Sequence, residues 1–373
     1  MQTYVTLVRY TDGGIEMSIK AISILKGLFA IMMLLAFLIT LEPVSYADLA
    51  EKNCVDIFMG NNDVVFLIYD DGSVSVHHTL NNEMKQIVES WDNIIQIHAR
   101  DDAVFGVRKD GHVVWAEISN ETAHGFSSVS SWKNITYVTS TQNHVFGLTK
   151  AGRIEVAGDY YFGLNEVADF SDWDHIVQII PGNGEVLFED ESIIGVKENG
   201  TLIFKGNISP WVGRLDGIRS VRPALTFGAI AIKNDGSLLF NQSLWETCPD
   251  SVNKIVNSPD WRGIVKIGIF NPNLDNNLRF LGLKADGTLV TENLNSPDLL
   301  HWNNLKDIQV SYYYGIFGIQ KDGKLLHMPS YVDGDVFKTW DGIEKLSIGE
   351  NIVIGLRTDG TVVYFSETGV QLE

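Results

Sequence analysis

Trp340-Asp341-Gly342-Ile343-Glu344-Lys345-Leu346-Ser347-Ile348, then Ile352-Val353-Ile354-Gly355-Leu356-Arg357-Thr358-Asp359-Gly360-Thr361-Val362-Val363-Tyr364, is the stretch whose reading decides the fold. Apolar residues alternate on both sides of an Asp-Gly dipeptide suited to positive φ, so it reads as strand, short loop, strand, tight turn, strand. The rest of the chain copies it about eight times. The turn glycines Gly72, Gly111, Gly152, Gly200, Gly236, Gly287, Gly323 and Gly360 are spaced by about 36 to 51 residues, a period typical of propellers and solenoids. Trp91, Trp132, Trp173, Trp261, Trp302 and Trp340 open six of the copies, and the fifth begins Leu215-Asp216-Gly217-Ile218 instead.

A small residue recurs five places before the turn glycine: Gly106, Gly147, Gly195, Ala231, Gly282, Gly318 and Gly355, with Leu67 in the first copy. Glycine weakens a strand unless something must approach its backbone, and crowding near a central axis is the expected reason. A copy of about three short strands cannot bury both faces alone, so neighbours must stack. A ring of small sheets leaves only short protected edges. The expected fold is therefore all-β, with Asp48 to Glu373 forming one propeller of eight blades, or seven if a terminal copy completes another blade. The repeat-locked tryptophans are expected to wedge adjacent blades. Trp211 and Trp245 lie outside the register and are open to an exposed role or to core packing.

The N-terminal part reads differently. Lys20 and Lys26 precede the apolar run Gly27 to Ile39, and Ser45-Tyr46-Ala47 offers a small-x-small cleavage site, which together describe a signal peptide over 17–47 that forms a helix and is cut after Ala47. The run is short for a membrane span, so no stable span is expected after cleavage. A retained anchor is the alternative. Residues 1–16 form a neutral polar extension that signal peptides seldom carry. Codons for Gly13 and Gly14 can spell a purine-rich ribosome-binding site, so the extension is expected to be non-translated or disordered, with translation starting at Met17 rather than Met1.

A formal charge of −19 repels phosphate backbones and argues against nucleic acid as partner. It fits a partner with a basic surface, or simply a solubilising exterior. Cys54 and Cys248 are the chain's two cysteines. They fall on opposite sides of a closed ring, too far apart to bridge, and are expected to be unbridged structural thiols in a monomer.

The unit Trp-x-Asn-Ile followed by Gly-Val-Arg-Lys-Asp-Gly-His-Val resembles the regulator of chromosome condensation repeats, in the short form of bacterial secreted proteins. The copy with His144-Val145-Phe146-Gly147-Leu148, Val156-Ala157-Gly158-Asp159-Tyr160-Tyr161-Phe162-Gly163-Leu164 and Ser171-Asp172-Trp173 carries more of the pattern than the others. Most copies lack the family's His-Thr before the second strand and its Trp-Gly-x-Asn-x-x-Gly-Gln after the third. The resemblance implies a propeller, usually of seven blades. The eukaryotic roles of that family, nucleotide exchange on a small GTPase and chromatin docking, need a nuclear address and basic contact surfaces that this chain lacks.

Two copies are longer by about six residues between Trp and turn glycine, and insertions in repeat proteins gather on one face. They place Phe188, Glu189, Asp190 and Glu191 in one loop and Phe270, Asn273 and Asp275 in another. Phe188 beside three acids suits a basic protein partner, or is a solvated loop. The Asn/Asp-rich loop offers oxygens but lacks the spacing of a calcium site, so neither metal nor cofactor is expected. The histidines are scattered, no Gly-x-Ser-x-Gly or phosphate loop is present, and Asp101-Asp102 and Glu189-Asp190-Glu191 are the paired carboxylates that glycoside cleavage would need. The reading that results is an exported, non-enzymatic scaffold, an inhibitor or adaptor. The alternatives are a secreted polysaccharide-acting enzyme and a structural cell-surface protein.

Overall fold

The computed structural model describes residues 8–11, 14–17, 52–78, 82–100, 102–117, 125–141, 143–158, 169–181, 192–206, 211, 214–223, 228–242, 246, 248–271, 278–294, 296–331 and 334–366. The chain divides into two compact units, Met1–Val44 and Ser45–Glu373. In the first, Val8–Thr11 (β1) and Gly14–Met17 (β2) pair antiparallel with Thr11 opposite Gly14. These strands fall in and just beyond the N-terminal extension, residues 1–16. The signal helix and the cleavage site after Ala47 lie outside the described residues.

In the second unit, eight three-stranded antiparallel sheets follow one another in chain order. Blade 1 is β3 (Cys54–Met59), β4 (Val65–Tyr69) and β5 (Val74–His77), and blade 2 is β6 (Ile94–Ala99), β7 (Ala103–Arg108) and β8 (Val113–Glu117). Blade 3 is β9 (Ile135–Ser140), β10 (His144–Thr149) and β11 (Ile154–Gly158), and blade 4 is β12 (Ile176–Pro181), β13 (Ile193–Lys197) and β14 (Leu202–Lys205). Blade 5 is β15 (Ile218–Pro223), β16 (Ala229–Lys233) and β17 (Leu238–Phe240), and blade 6 is β18 (Ile264–Phe270), β19 (Arg279–Lys284) and β20 (Leu289–Glu292). Blade 7 is β21 (Leu305–Ser311), β22 (Gly315–Gln320) and β23 (Leu325–Met328), and blade 8 is β24 (Ile343–Ile348), β25 (Ile352–Arg357) and β26 (Val362–Ser366). The count is eight, not seven. Helices α1 (Asn82–Glu89), α2 (Pro249–Asn257) and α3 (Pro297–Leu300) and the 3-10 turns Phe126–Ser131 and Gly334–Thr339 lie between blades.

The first strands form the inner wall. β24 meets β3, β3 meets β6, β6 meets β9, β9 meets β12, β12 meets β15, and β18 meets β21. The second strand is the middle of every sheet and the third is outermost. One backbone bond repeats at every seam: the turn-glycine carbonyl of each blade accepts the N–H that opens the next blade's first strand, from Ile94 onto Gly72 at 2.9 Å to Cys54 onto Gly360 at 3.2 Å. The last of these closes the ring. A Cβ on Gly72 (φ 79°) would stand 2.5 Å from Cα of Asn93, so this turn needs glycine for its left-handed backbone and for the closeness of the next blade.

The same contact explains the residue before seven of the eight first strands. Asn93, Asn134, His175, Gly217, Gly263, Asn304 and Gly342 all have φ between 54° and 69°, a region that Gly and Asn enter at least cost. The Trp-x-Asn/Gly-Ile pattern is therefore a backbone requirement, and His175 is the residue that meets it least comfortably.

The mid-strand glycines have a different cause from the one expected. In the copies opened by Trp, a Cβ on Gly106, Gly147, Gly195, Gly282, Gly318 or Gly355 would stand 2.7–3.0 Å from the six-membered ring of that copy's own Trp. Crowding by the indole, and not by the axis, excludes a side chain. The two copies without Trp carry Leu67 and Ala231 at this position. The indoles lie between blades: Trp91 packs with Phe66, Ile68 and Val76 of blade 1, and Trp132 with Phe105 and Val107 of blade 2. Cys54 and Cys248 are buried and form no disulfide, and burial pushes the Cys54 thiol up to about 11.

Candidate functional site

Three antiparallel strands give the ring two rims. One carries the Asp-Gly turns, and the other carries the loops between first and second strands together with the exits of the third strands. The turn rim is committed to the repeat. Asp71, Asp110, Asn199, Asp235, Asp286, Asp322 and Asp359 each accept the backbone N–H two residues on, at 2.8–3.1 Å. The hydroxyls of Ser237, Thr288 and Thr361 hold Asp235, Asp286 and Asp359 below the usual carboxylate range. The Asp after the opening Trp or Leu is met by the last residue of the second strand, as in Lys197–Asp174 at 2.5 Å, Lys233–Asp216 at 3.2 Å, and Arg108–Asp92.

The loop rim is where the copies differ. Blade 7 presents three tyrosines there: the Tyr312 and Tyr313 rings lie 4.8 Å apart at 89°, and Tyr331 sits 5.6 Å from Tyr312 and 6.5 Å from Tyr313. Tyr313 is 48% and Tyr331 60% exposed. The platform is braced from beneath. Tyr331 N–H donates to Tyr313 O at 3.1 Å, joining the exit of β23 to the β21–β22 loop. Tyr314 is fully buried and packs edge-on against Phe337 and Phe365, with ring centroids 6.4 and 6.1 Å away. The hydrogen bond to Tyr312 pushes the Tyr331 phenol above its ordinary value. Large aromatic faces held out of their own core on a rigid base are how binding hot spots are built.

Of the residues expected from sequence, Phe188, Glu189, Asp190, Glu191, Asn273, Asp275 and Trp245 lie outside the described residues. Phe270 is corrected. It ends a seven-residue β18, is 5% exposed, and packs with Leu281, Leu283, Leu299 and Leu305 between blades 6 and 7, because the strand runs further into the loop than the repeat suggested. Trp211 is half-buried, bridges Asn241 and packs on the Ile180–Ile194 cluster, with its indole nitrogen buried and unpartnered. The tyrosines were missed. Their signal is Tyr312-Tyr313-Tyr314-Gly315, an aromatic run where the copies of blades 1, 2, 3 and 8 have short polar segments.

The paired carboxylates fare differently. Asp102 is bound by the Arg100 guanidinium, with Nη2 3.0 Å from Oδ2, and Asp101 lies outside the described residues. His98 Nε2 stands 2.7 Å from Ser140 Oγ across the blade 2–3 seam, but burial first and Arg100 second hold the imidazole down at about 4. That makes it a poor base at neutral pH and a sound neutral seam lock. Between pH 6.5 and 4 the unfolded chain takes up a proton that the folded ring refuses, so stability falls with pH across this window and not above it. The limit is about 3 kcal/mol, or about 2 kcal/mol after discounting the ring's partial exposure. Melting curves of the wild type and His98→Gln from pH 7 to 4 check this: the variant is expected to lose less, and identical acid slopes would refute it. Among the described residues no group of three or more His, Cys, Asp or Glu is placed to hold a metal ion.

No protein-family model matches the chain, and no curated protein sequence matches it. Solved structures do. The computationally designed Ika8 protein is 13% identical, with 85% of this chain and 96% of that one covered at a TM-score of 0.49. The CRINKLY WD40 ectodomain of the Arabidopsis thaliana receptor kinase ACR4 is 12% identical, with 86% and 98% covered at 0.42. Prp20p of Saccharomyces cerevisiae is 13% identical, with 87% and 72% covered at 0.34. These likenesses concern the fold alone.

Proposed function

We propose that this chain is an exported, non-enzymatic propeller that captures a protein partner with a basic surface on its loop rim, as an inhibitor or adaptor, and that its repeats are a degenerate version of the short secreted bacterial form of the regulator of chromosome condensation repeat. The observation that carries the proposal is the braced Tyr312–Tyr313–Tyr331 platform, with Tyr313 and Tyr331 exposed on the rim that the repeat leaves unconstrained. The charge of −19 favours a cationic partner. Scaffold use also agrees with the commitment of the turn-rim acids to turns and ion pairs, which leaves them unavailable for chemistry.

The experiment is a pull-down from culture supernatant with the wild type and with the triple variant Tyr312→Ser, Tyr313→Ser and Tyr331→Ser. Hot-spot tyrosines are worth about 2 kcal/mol or more each, so the variant is expected to lose capture at least about thirtyfold while melting as the wild type does. Replacing Phe188 and Glu189 to Glu191 extends the test to the segment between β12 and β13. Undiminished capture by both variants, or turnover of a cell-wall or plant glycan by the folded protein, would overturn the proposal.

A further inference from the structure

The inner wall of the ring is two-sided. Of the large apolar side chains exposed among the described residues, Val55, Ile95, Tyr137 and Val177 lie on the first strands of blades 1 to 4, with exposures of 53, 48, 40 and 54%. They occupy the second or third position of β3, β6, β9 and β12. In blades 5 to 8 the first strands instead carry Arg219, Arg222, Lys266, Lys306 and Lys345. The first strands of blades 1 to 4 contain no Lys or Arg.

Most of these cations are answered. Lys266 pairs with Asp307, Lys306 with Glu344 and Lys345 with Asp56, each across a seam. Five cations less three carboxylates leaves the wall at +2 inside a chain of −19, and the surplus falls on a single strand, β15. Arg219 donates to the carbonyl of Ile264 at 2.8 Å. Arg222 is exposed and meets no carboxylate among the described residues; burial first, and the charge of Arg222 after it, hold the Lys266 amine below its ordinary value.

The surplus adjoins the apolar arc. β12 and β15 are neighbouring inner strands, clamped where Gln178 donates to Val221 O at 3.2 Å and accepts from Val221 N at 3.1 Å. Val177 and Arg219 hold the same position on these two strands, so the apolar arc ends where the guanidiniums begin. A lone strand whose two arginines meet no carboxylate among the described residues suits one anionic head, not a row of them, and the guanidinium fork matches the two oxygens of a carboxylate. Val177, Tyr137 and Ile95 lie on the consecutive inner strands β12, β9 and β6, an apolar path that an acyl chain can follow away from the arginines.

We infer that the ring interior binds a single-chain aliphatic carboxylate, its head on Arg219 and Arg222 and its chain along Val177, Tyr137 and Ile95. Burying each CH2 contributes about 0.8 kcal/mol. The site is separate from the loop rim, so either reading can fail without the other.

Calorimetric titration of the full chain with dodecanoate, below its micelle concentration, tests the inference. Saturable binding is expected, at least tenfold weaker in the double variant Arg219→Gln/Arg222→Gln and in Val177→Asp, and largely kept in Arg222→Lys. Dodecyltrimethylammonium, with the same chain and opposite charge, is expected to bind at least tenfold more weakly than dodecanoate. All three side chains are exposed, so the variants are expected to melt as the wild type does. Equal affinity for the two amphiphiles, competition by acetate at the concentration of dodecanoate, unaltered binding in the double variant, or heat that never saturates would overturn the inference.

Discussion

Truncating Trp340 to alanine is expected to lower stability by about 3–5 kcal/mol, read as a shift of the urea midpoint at constant slope. The indole is 1% exposed, meets Phe337 edge-on at 5.2 Å, and fills the blade 7–8 cluster with Phe317 and Val353. Its N–H has no partner, so nothing polar is orphaned by its removal and the whole loss is packing. Gly355→Ala is the reciprocal injury: the added Cβ would stand 3.0 Å from the ring, an overpacking cost of about 1–3 kcal/mol. The sharper result lies in combination. Blade 5 solves the same site with Leu215 and Ala231, so Trp340→Leu with Gly355→Ala is expected to be less damaging than the two changes summed. Strict additivity would show that the Trp–Gly correspondence among copies is not a packing unit.

The second large effect concerns the ring's closure. Asp63 is 3% exposed, and from blade 1 it accepts the backbone N–H of Glu350 at 2.6 Å and both the backbone and side-chain N–H of Asn351, at 3.0 and 2.8 Å, from the loop of blade 8. Hydrogen bonds to a charged acceptor contribute about 1.5–3 kcal/mol each, and buried donors left unmet cost a similar amount. Asp63→Ala is expected to cost about 3–5 kcal/mol. Gly349→Ala should strike the same clasp from the other side, since its Cβ would fall 2.0 Å from Asp63 Oδ1. Because both changes open one contact, the double variant is expected to be little worse than the worse single one. Equilibrium unfolding checks this, with full additivity as the refuting outcome.

The ring was legible because its cause is repeated. Asp-Gly turns and Trp-x-Asn-Ile openings recur wherever a left-handed residue must sit against the next blade, and a period is visible without any neighbour being known. What one copy does alone was not legible. The Asp63 clasp joins residues 287 apart in the chain, and nothing near Asn61-Asn62-Asp63 announces it. Phe270 was misplaced because loop length does not tell where a strand stops pairing. The tyrosine platform was overlooked since two of its rings come from one loop and the third from another, and only the folded blade brings them together. The division of the inner wall was equally hidden, as it lies in the distribution of second and third strand positions around a circle.

The bond from Cys54 N to Gly360 O repeats at the closing seam the bond made at every other one, and this has a consequence for how the protein is born. Seven finished blades are an arc with two bare greasy walls, one at each end, and each is shaped to receive a blade of this very sequence. Until the eighth arrives, the nearest suitable blade belongs to another nascent molecule. The hazard of this architecture is therefore greatest late in synthesis, when two incomplete chains can lock into each other, and dilution or a chaperone that shields one wall is what favours closure of the ring on itself.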